Sequence, residues 1–320
     1  MLINANALAI PLANKSVHTI VTSPPYYNLR NYGVDGQIGL EQTPDEYIAN
    51  LVAVFRECKR ILRDDGTLFV VIGDSYSGSG NGSGDYREDG ASISKNDAKY
   101  GAHKPGAPNG LKPKDLIGIP WMLAFALRAD GWYLRQDIIW AKPNPMPESV
   151  KDRCTKSHEY IFLLSKSARY YYDSEAVKEP ANYDGRKDTM FKGAVKSYDG
   201  VMPNGQPQSF AQNGHERWQY DGEGVPVRNK RDVWTVTTKP YKGAHYATFP
   251  PELIKPCILA GAPEGGIVFD PFVGSGTTVA TAIQLGRKGI GIDLSFKYLQ
   301  ENAKARVESA ELPLLNLIEQ

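Results

Sequence analysis

A strand–turn–helix–strand pattern near the carboxyl end of this 320-residue sequence constrains its fold more than any other feature. Residues 267–270 form a short apolar run, which predicts a buried strand, and residues 277–285 have the apolar spacing of a helix. A glycine turn, with Gly274 and Gly276, stands between them. Another apolar run, residues 289–293, predicts the next strand. The pattern is typical of one unit of a parallel α/β sheet.

The same alternation of strands and helices recurs in the first half of the chain. Predicted strands cover residues 17–21, 67–74, 134–140 and 160–165, with residues 169–172 close behind the last, and predicted helices cover residues 43–62 and 120–129. The first helix opens with Thr43, Pro44 and Glu46, which predicts an N-cap and a capping box. Asp65 and Gly66 predict a turn into the next strand. We therefore expect an α/β fold with a doubly wound, mostly parallel sheet.

Composition limits the classes of protein to which the chain can belong. With 41% hydrophobic residues, we expect one α/β domain with an elaboration rather than two equal domains. The net charge of +1 excludes a polycation, so nucleic-acid binding would need a local basic surface. No apolar run is long enough to span a bilayer, and the amino-terminal residues do not resemble a signal peptide.

The cysteines and histidines favour a reduced, cytoplasmic setting. Cys58, Cys154 and Cys257 are isolated and odd in number, with no Cys-x-x-Cys pair. The five histidines are scattered along the sequence. We therefore expect no metal site.

Two polar segments interrupt the alternation. Residues 75–110 are rich in Gly, Ser and Asn, which fits either a flexible linker or a binding loop that acts as a lid. Residues 182–231 mix Arg, Lys, Asn and Gln with aromatic residues. That mixture suits contacts to base edges and phosphates, and it also suits an ordinary solvated loop.

The glycine turn belongs to the motif Phe-Asp-Pro-Phe-Val-Gly-Ser-Gly-Thr-Thr at residues 269–278. It is not a phosphate-binding Walker loop, because no Lys follows the second glycine, and Val279 stands where a dinucleotide fingerprint has its third glycine. The next strand ends in Asp293, an acidic residue placed to bind ribose hydroxyls. A nucleoside without a diphosphate fits this pattern, and S-adenosylmethionine is the obvious candidate.

A second motif, Ser-Pro-Pro-Tyr at residues 23–26, directly follows the predicted strand 17–21 and its adjoining threonine. Two prolines stop a strand and stiffen the chain where it leaves the sheet. Together with Phe-Val-Gly-Ser-Gly at residues 272–276, the motif resembles the exocyclic-amino DNA methyltransferases. Their hallmarks are an Asp/Asn/Ser-Pro-Pro-Tyr/Phe motif and a Phe-x-Gly-x-Gly cofactor loop. Here the catalytic motif comes first and the cofactor motif last, which matches the permuted β order of that family.

The resemblance implies a doubly wound, seven-stranded-type sheet of the S-adenosylmethionine-dependent methyltransferase class, with an inserted DNA-recognition region. Residues 1–180 and 232–320 would form the catalytic and cofactor-binding domain, with a mobile loop at residues 75–110. Residues 181–231 would form the target-recognition region. The implied partner is double-stranded DNA, with a homodimer and a cognate restriction enzyme as further expectations for this cytoplasmic, prokaryotic or phage-encoded enzyme.

The resemblance also assigns residues to the site. The catalytic residues would be Ser23, Pro24, Pro25 and Tyr26. The cofactor-binding residues would be Asn6, Phe249, Pro250, Asp270, Phe272, Gly274, Ser275, Gly276, Thr277, Thr278 and Asp293. The DNA-binding residues would be Arg186, Lys187, Arg217, Arg228, Lys230 and Arg231. Asn6 departs from the family, whose members often have Asp there, although an amide oxygen can still accept from the adenine amine of the cofactor.

The chemistry explains why Ser-Pro-Pro-Tyr suits such a reaction. The exocyclic amine of a base is a poor nucleophile, because its lone pair is delocalised into the ring. The Ser23 hydroxyl and the Pro24 carbonyl can accept its two hydrogens and so localise the lone pair, while Tyr26 offers a ring face for stacking. The base must flip out of the duplex to reach them. No covalent enzyme intermediate is required, so the cysteines are not expected to take part.

Several alternatives stay open. Serine at the first motif position is commoner in cytosine-N4 enzymes, which gives that target a slight preference over adenine-N6. An amino-methyltransferase of RNA or protein is less favoured, because those families place the cofactor loop first; a catalytically dead DNA-binding module is less favoured because both motifs are intact. Core packing remains an alternative role for Phe249, Pro250 and Phe272, and strand-end packing is preferred over DNA contact for Trp140 and Lys142.

Overall fold

The computed structural model describes residues 1–29, 31, 33–77, 111–181, 219, 220, 222, 225–238 and 249–310. The chain divides into two compact units, Met1–Asp173 with Arg231–Gln320, and Ser174–Lys230. Within the described ranges, the strands are β1 (Leu2–Asn4), β2 (Val17–Thr22), β3 (Leu62–Ile72), β4 (Tyr133–Ala141), β5 (His158–Ser165), β6 (Glu179–Pro180), β7 (Gln219–Tyr220), β8 (Pro226–Arg228), β9 (Val233–Thr235), β10 (Ile267–Asp270) and β11 (Lys288–Asp293). The helices are α1 (Pro44–Ile61), α2 (Ile119–Ala129), α3 (Pro251–Gly261) and α4 (Thr277–Gln284), followed by a helical stretch from Phe296 that includes a π-helix at Leu299–Ala303.

The larger unit contains an eight-stranded sheet with the order β1-β11-β10-β2-β3-β5-β4-β9. Among the described strands of this sheet, β5 runs antiparallel to its neighbours β3 and β4, and the other pairs are parallel. The predicted mostly parallel sheet is thus confirmed. β9, at one edge, adds an eighth strand to the seven-stranded type.

The core lies on both faces of this sheet. Successive residues of a strand point to opposite faces. In β3, Leu68, Val70 and Ile72 join the apolar cluster of α1 and α2, whereas Phe69 and Val71 join the cluster that includes α3. The sheet is therefore covered on both sides, as a doubly wound fold requires.

Helix α1 begins as its sequence predicts. The Thr43 hydroxyl accepts a hydrogen bond from the amide of Glu46, and the Glu46 carboxylate accepts one from the amide of Thr43. This capping box satisfies two amide donors that the first turn otherwise leaves without helical partners. It also fixes the start of α1 next to the buried Tyr47, which contacts the candidate site described below.

Two details of the sequence-based assignment differ from the structure. β3 begins at Leu62, and its pairing with β2 jumps from Val17–Leu62 to Thr19–Thr67, so the predicted turn at residues 65 and 66 is a bulge within the strand. Residues 169–172 form no strand. The amide of Tyr171 instead donates to the carbonyl of Asp65, which ties this segment to the bulge.

The smaller unit contains a three-stranded antiparallel sheet with the order β6-β8-β7. Residues 182–218 of the predicted recognition region, and residues 78–110 of the predicted mobile loop, lie outside the described residues. The assignment of these segments therefore stays a prediction. Among the helices that are described, none combines the length and apolar character needed to cross a membrane.

Candidate active site

The two sequence motifs meet at one edge of the large sheet. β2 ends at Thr22, directly before Ser23, and its neighbour β10 ends at Asp270, directly before the glycine turn. β11, beside β10, ends at Asp293. Because these strands are parallel, their carboxyl ends lie together, where ligands bind in open α/β sheets.

A cavity of about 170 Å³ opens at this edge. Twelve of the predicted site residues line it: Asn6, Ser23, Pro24, Pro25, Tyr26, Phe249, Asp270, Phe272, Gly274, Ser275, Thr277 and Asp293. Its walls also contain residues that the sequence did not single out: Ala5, Ala7, Leu29, Val34, Gly36, Gln37, Ile38, Pro271, Val273, Leu294, Ser295 and Tyr298. Pro250, Gly276 and Thr278 are predicted site residues that do not line it.

Neighbouring side chains hold the Ser-Pro-Pro-Tyr motif. The hydroxyl of Tyr47 on α1 donates to the carbonyl of Pro25 across 2.8 Å. The hydroxyl of Tyr26 donates to Glu159 Oε2 across 2.7 Å, and the other carboxylate oxygen of Glu159 pairs with Lys142 Nζ. Burial raises the pKa of Tyr26 well above its usual value, Glu159 raises it further, and a hydrogen bond from Ser23 opposes the shift. Tyr26 is therefore a neutral hydrogen-bond donor at physiological pH.

The glycine turn approaches the acid that ends β11. The amide of Gly274 donates to Asp293 Oδ2 across 3.3 Å, and the amide of Ser295 donates to Oδ1 across 2.9 Å. Burial raises the pKa of Asp293, and these backbone hydrogen bonds oppose the shift. Gly276 has a φ of +80°, and a β-carbon there would lie 3.1 Å from the carbonyl oxygen of Ala303. Glycine is thus needed at residue 276 for the backbone conformation and the lack of space.

Asp270 has a structural role that the sequence did not predict. Its carboxylate accepts hydrogen bonds from the hydroxyls of Thr22 (2.6 Å) and Thr278 (2.7 Å) and from the amide of Phe272 (3.0 Å). Burial raises its pKa to about 6 despite these three donors. Asp270 and Thr278 therefore join β2, the turn and α4, and hold the turn in place.

Two further predicted cofactor residues, Ser275 and Thr277, lie in the glycine turn and at the start of α4, and Asn6 lines the cavity. Arg306 donates to the hydroxyls of Ser275 and Thr277, which are both buried. The Asn6 side-chain oxygen accepts from the amide of Leu8 across 2.9 Å, so part of its acceptor capacity is already used.

Three of the predicted cofactor residues are apolar, and they differ in whether they line the cavity or only pack in the core. Phe272 both lines the cavity and packs on the core, and Phe249 does the same against the α3 side. Pro250 is buried at the N-cap of α3, which is a packing position.

Glu159 and Tyr47 are candidate functional residues that sequence reasoning missed, and Lys142, for which strand-end packing was preferred, has a partner in Glu159 that the sequence did not indicate. None belongs to either motif, and Glu159 reaches Tyr26 only because β5 pairs beside β3. Trp140 is buried at the end of β4, which is the packing role preferred for it from the sequence. Its indole donates a hydrogen bond to the carbonyl of Val236. Lys142 lies over the Trp140 ring but also pairs with Glu159, so it is more than a packing residue.

The predicted DNA-binding residues are only partly described. In the smaller unit, Arg228 donates to Glu179 across 3.0 Å, and Lys230 lies 4.0 Å from the same carboxylate. In the larger unit, the carbonyl of Arg231 accepts from the indole of Trp234. Arg186, Lys187 and Arg217 lie outside the described residues.

Known proteins share this sequence and this fold. The N6_N4_Mtase family, described as DNA methylase, matches residues 17–304. The Type II methyltransferase M.Cfr9I of Citrobacter freundii is 49% identical over 288 residues, covering 90% of this chain and 80% of that protein. The Type II methyltransferase M.SmaI of Serratia marcescens is 47% identical over 279 residues, covering 87% of this chain and 80% of that protein.

Two solved structures have a similar fold. The PvuII DNA methyltransferase (cytosine-N4-specific) has a TM-score of 0.57 and 16% identity, covering 98% of this chain and 92% of that one. A putative DNA modification methylase from Thermus thermophilus, complexed with S-adenosyl-L-methionine, has a TM-score of 0.55 and 21% identity. The match covers 97% of this chain and 93% of that one. The match over residues 17–304, supported by relatives near 50% identity, shows that the chain belongs to the DNA methylase family N6_N4_Mtase, the DNA amino-methyltransferases.

Proposed function

We propose that this chain transfers the methyl group of S-adenosylmethionine to the exocyclic amino group of a base flipped out of duplex DNA. The observation that carries the proposal is one cavity lined by both the Ser-Pro-Pro-Tyr motif and the glycine turn with Asp293. A methyl donor and an acceptor amine must meet within one site for direct transfer.

The residues at the glycine turn fit S-adenosylmethionine. Asp293 would accept from the ribose hydroxyls, as acids at this strand end do for nucleosides. Gly274 would let the backbone approach the cofactor closely, while Phe272 and Ile38 offer apolar walls. When bound, the cofactor supplies an electrophilic methyl group on a sulfonium sulfur. The Thermus relative was solved with this cofactor, which supports the assignment.

The Ser-Pro-Pro-Tyr motif would orient and activate the base. The Ser23 hydroxyl and the Pro24 carbonyl would accept the two amine hydrogens, which localises the lone pair on nitrogen. Tyr47 holds the neighbouring Pro25 carbonyl, so the backbone acceptor is fixed before the base arrives. Such preorganised groups need no rearrangement during the reaction. The Tyr26 ring would stack on the base.

We propose cytosine N4 as the target in preference to adenine N6. The preference rests on Ser23, since serine at this position is commoner in cytosine-N4 enzymes. PvuII methyltransferase is cytosine-N4-specific, but at 16% identity its likeness supports the fold alone. Both amines present nearly the same two hydrogens to Ser23 and Pro24.

We further propose that residues 181–231 read the DNA sequence, and that residues 1–180 and 232–320 form the catalytic domain. The separate compact unit at Ser174–Lys230, with its basic residues Arg228 and Lys230, supports this division. Double-stranded DNA is the proposed partner.

The test combines cofactor binding with methyl transfer. Purified protein would be titrated with S-adenosylmethionine by calorimetry, then incubated with methyl-labelled cofactor and DNA from a methylation-deficient host. We expect binding and label transfer to DNA. Ser23→Ala should keep cofactor affinity and lose about a hundredfold or more in rate, as when one preorganised group is removed. Label on RNA or protein instead of DNA, or no cofactor binding, would contradict the proposal.

A further inference from the structure

A buried ion pair lies next to the catalytic motif. Neither of its residues, Glu159 and Lys142, belongs to the Ser-Pro-Pro-Tyr motif or to the glycine turn. Glu159 and Lys142 have side-chain exposures of only 16% and 17%. The Glu159 carboxylate lies between the Lys142 ammonium group and the Tyr26 hydroxyl. Desolvating such a pair is costly unless each group has good partners. The contact with Tyr26 therefore suggests a role in the site.

The polarity of this cluster restricts the hydroxyl of Tyr26. A carboxylate only accepts hydrogen bonds, whereas a tyrosine hydroxyl has one hydrogen to donate and an oxygen that can accept. Tyr26 thus gives its hydrogen to Glu159, and its oxygen is left as an acceptor. The hydroxyl end of the Tyr26 ring is thereby held in place.

The Tyr26 ring lines the cavity and is proposed to stack on the flipped base. Its position depends on the partner of its hydroxyl, which is Glu159. We propose that Glu159 is a positioning residue, which holds the Tyr26 hydroxyl and thereby fixes the ring against which the base stacks. This inference rests on the proposed role of Tyr26.

Packing leaves little freedom for Tyr26 and Glu159 to move. A β-carbon on Gly73, directly after β3, would lie 2.9 Å from Tyr26 Cε2 and 3.2 Å from Glu159 Cδ. Gly73 therefore allows the Tyr26 ring and the Glu159 carboxylate to lie against the backbone. Glu159→Gln replaces the charged acceptor with an amide, which holds the Tyr26 hydroxyl more weakly.

The first test compares Glu159→Gln with Glu148→Gln. Glu148 is also paired, with Arg153 in the β4–β5 connection, and serves as the matched control. We expect Glu159→Gln to lower kcat by about tenfold to a hundredfold, the usual range for losing a hydrogen bond to a charged group. Its affinity for S-adenosylmethionine should stay close to that of the wild type, whereas its melting temperature should fall, because Lys142 is left buried without its charged partner. The rates are therefore compared below the melting temperature of every variant. Equal kcat values for Glu159→Gln and the wild type would overturn the proposal.

A spectroscopic readout is independent of cofactor and turnover. In protein labelled with ¹³C at tyrosine ζ carbons, the Tyr26 signal, identified by its loss in Tyr26→Phe, reports the hydrogen bond of the hydroxyl. The signal should shift in Glu159→Gln and not in Glu148→Gln. An unmoved Tyr26 signal in Glu159→Gln would contradict the proposed role of Glu159.

A double-mutant cycle tests whether Glu159 acts through Tyr26. Once Tyr26→Phe has removed the hydroxyl, Glu159→Gln should lower kcat by less than about twofold more, because interacting residues are not additive. Fully additive losses would overturn the proposal.

Gly73→Ala should also lower kcat without lowering cofactor affinity, and full activity in that variant would count against the packing argument. Ser23→Ala distinguishes the proposed function from the inference about Glu159. If this variant stays active, the proposed function of the Ser-Pro-Pro-Tyr motif fails; if it is inactive while Glu159→Gln is fully active, only the role of Glu159 fails.

Discussion

The hydroxyl of Tyr47 donates a hydrogen bond to the carbonyl of Pro25, 2.8 Å away, and so connects the first helix to the catalytic motif. Tyr47 is fully buried, and burial raises its pKa, which keeps the hydroxyl a donor. A loop motif is thereby fixed by a core residue. This relationship explains how a segment outside the sheet can hold acceptors in a defined position.

Replacing Tyr47 with phenylalanine should separate the hydrogen bond from the packing of the ring. We expect Tyr47→Phe to destabilise the protein by about 1–3 kcal/mol, because a partly buried carbonyl loses its partner. Methyl transfer should also slow, since Pro25 is less well held. Urea unfolding and initial rates measure the two effects. Tyr27→Phe is the control, because Tyr27 donates to Gln42 instead; equal rates in the two variants would contradict a role for the Pro25 contact.

Asp293 should control cofactor affinity. Asp293→Asn keeps an acceptor for the amide of Ser295 but removes the charge that would bind the ribose hydroxyls. We expect affinity for S-adenosylmethionine to fall by about tenfold to a hundredfold, with DNA affinity unchanged. Calorimetry and a DNA-binding assay would measure both. Unchanged cofactor affinity would refute the assignment.

The pH dependence of cofactor binding should follow the same residue. Because burial raises the pKa of Asp293, its carboxylate takes up a proton at a higher pH than an ordinary aspartate does. Cofactor affinity in the wild type should therefore weaken as the pH falls towards that raised pKa. The Asp293→Asn variant should lack this part of the pH dependence, and an identical profile in both proteins would show that another group is responsible.

Asp270 should affect stability rather than cofactor recognition. Its pKa is raised to about 6 in the folded protein, so the folded state binds its proton more tightly than the unfolded state does. Stability from this group is therefore greatest at low pH and is lost as pH rises from about 4 to about 6. At about 1.4 kcal/mol per pKa unit, the loss approaches about 3 kcal/mol.

Asp270→Asn tests whether the stability contributed by Asp270 is lost as the pH rises. The amide oxygen can keep the hydrogen bonds from Thr22 and Phe272, and its NH₂ group can donate to Thr278, whose hydroxyl lies 3.3 Å from the carbonyl of Val21. We expect the variant to gain stability relative to the wild type as pH rises from 4 to 7. Urea unfolding at several pH values would show it, and a difference that is independent of pH would contradict the account.

Most of the fold was predictable from local patterns. The apolar runs located β2, β10 and β11, and Thr43 with Glu46 located the start of α1. Helix α3 was missed, because it contains an interior proline, Pro256, which normally argues against a helix.

The site was predictable only where a motif carries it. The two motifs indicated the cavity lining, but the role of Asp270 depends on Thr22 and Thr278 from other elements. Glu159 was not predictable, because nothing in its own neighbourhood indicates that β5 pairs beside β3 and brings it to Tyr26. Contacts between distant segments are fixed by sheet topology, which local sequence does not specify.

Arg228 offers a test of the proposed recognition region. If Arg228 contacts a DNA phosphate, Arg228→Gln should lower DNA affinity for all sequences. The slope of log affinity against log salt concentration should then become shallower by about one. If it reads a base, the variant should instead methylate additional sites. Arg56→Gln, which loses an ion pair with Asp130 on the catalytic unit, is the control. Unchanged affinity and unchanged sites would remove Arg228 from the recognition surface.

The identity of the methylated base tests the central claim most directly. DNA from a methylation-deficient host would be treated with the enzyme and S-adenosylmethionine, digested to nucleosides and analysed by mass spectrometry. The account predicts an amino-methylated base, with N4-methylcytosine as the expected product. N6-methyladenine would overturn the argument from Ser23 for cytosine and leave the roles of Ser23, Pro24 and Tyr26 intact. 5-Methylcytosine as the sole product would contradict the whole account, because carbon methylation does not use the amine acceptors proposed for this site.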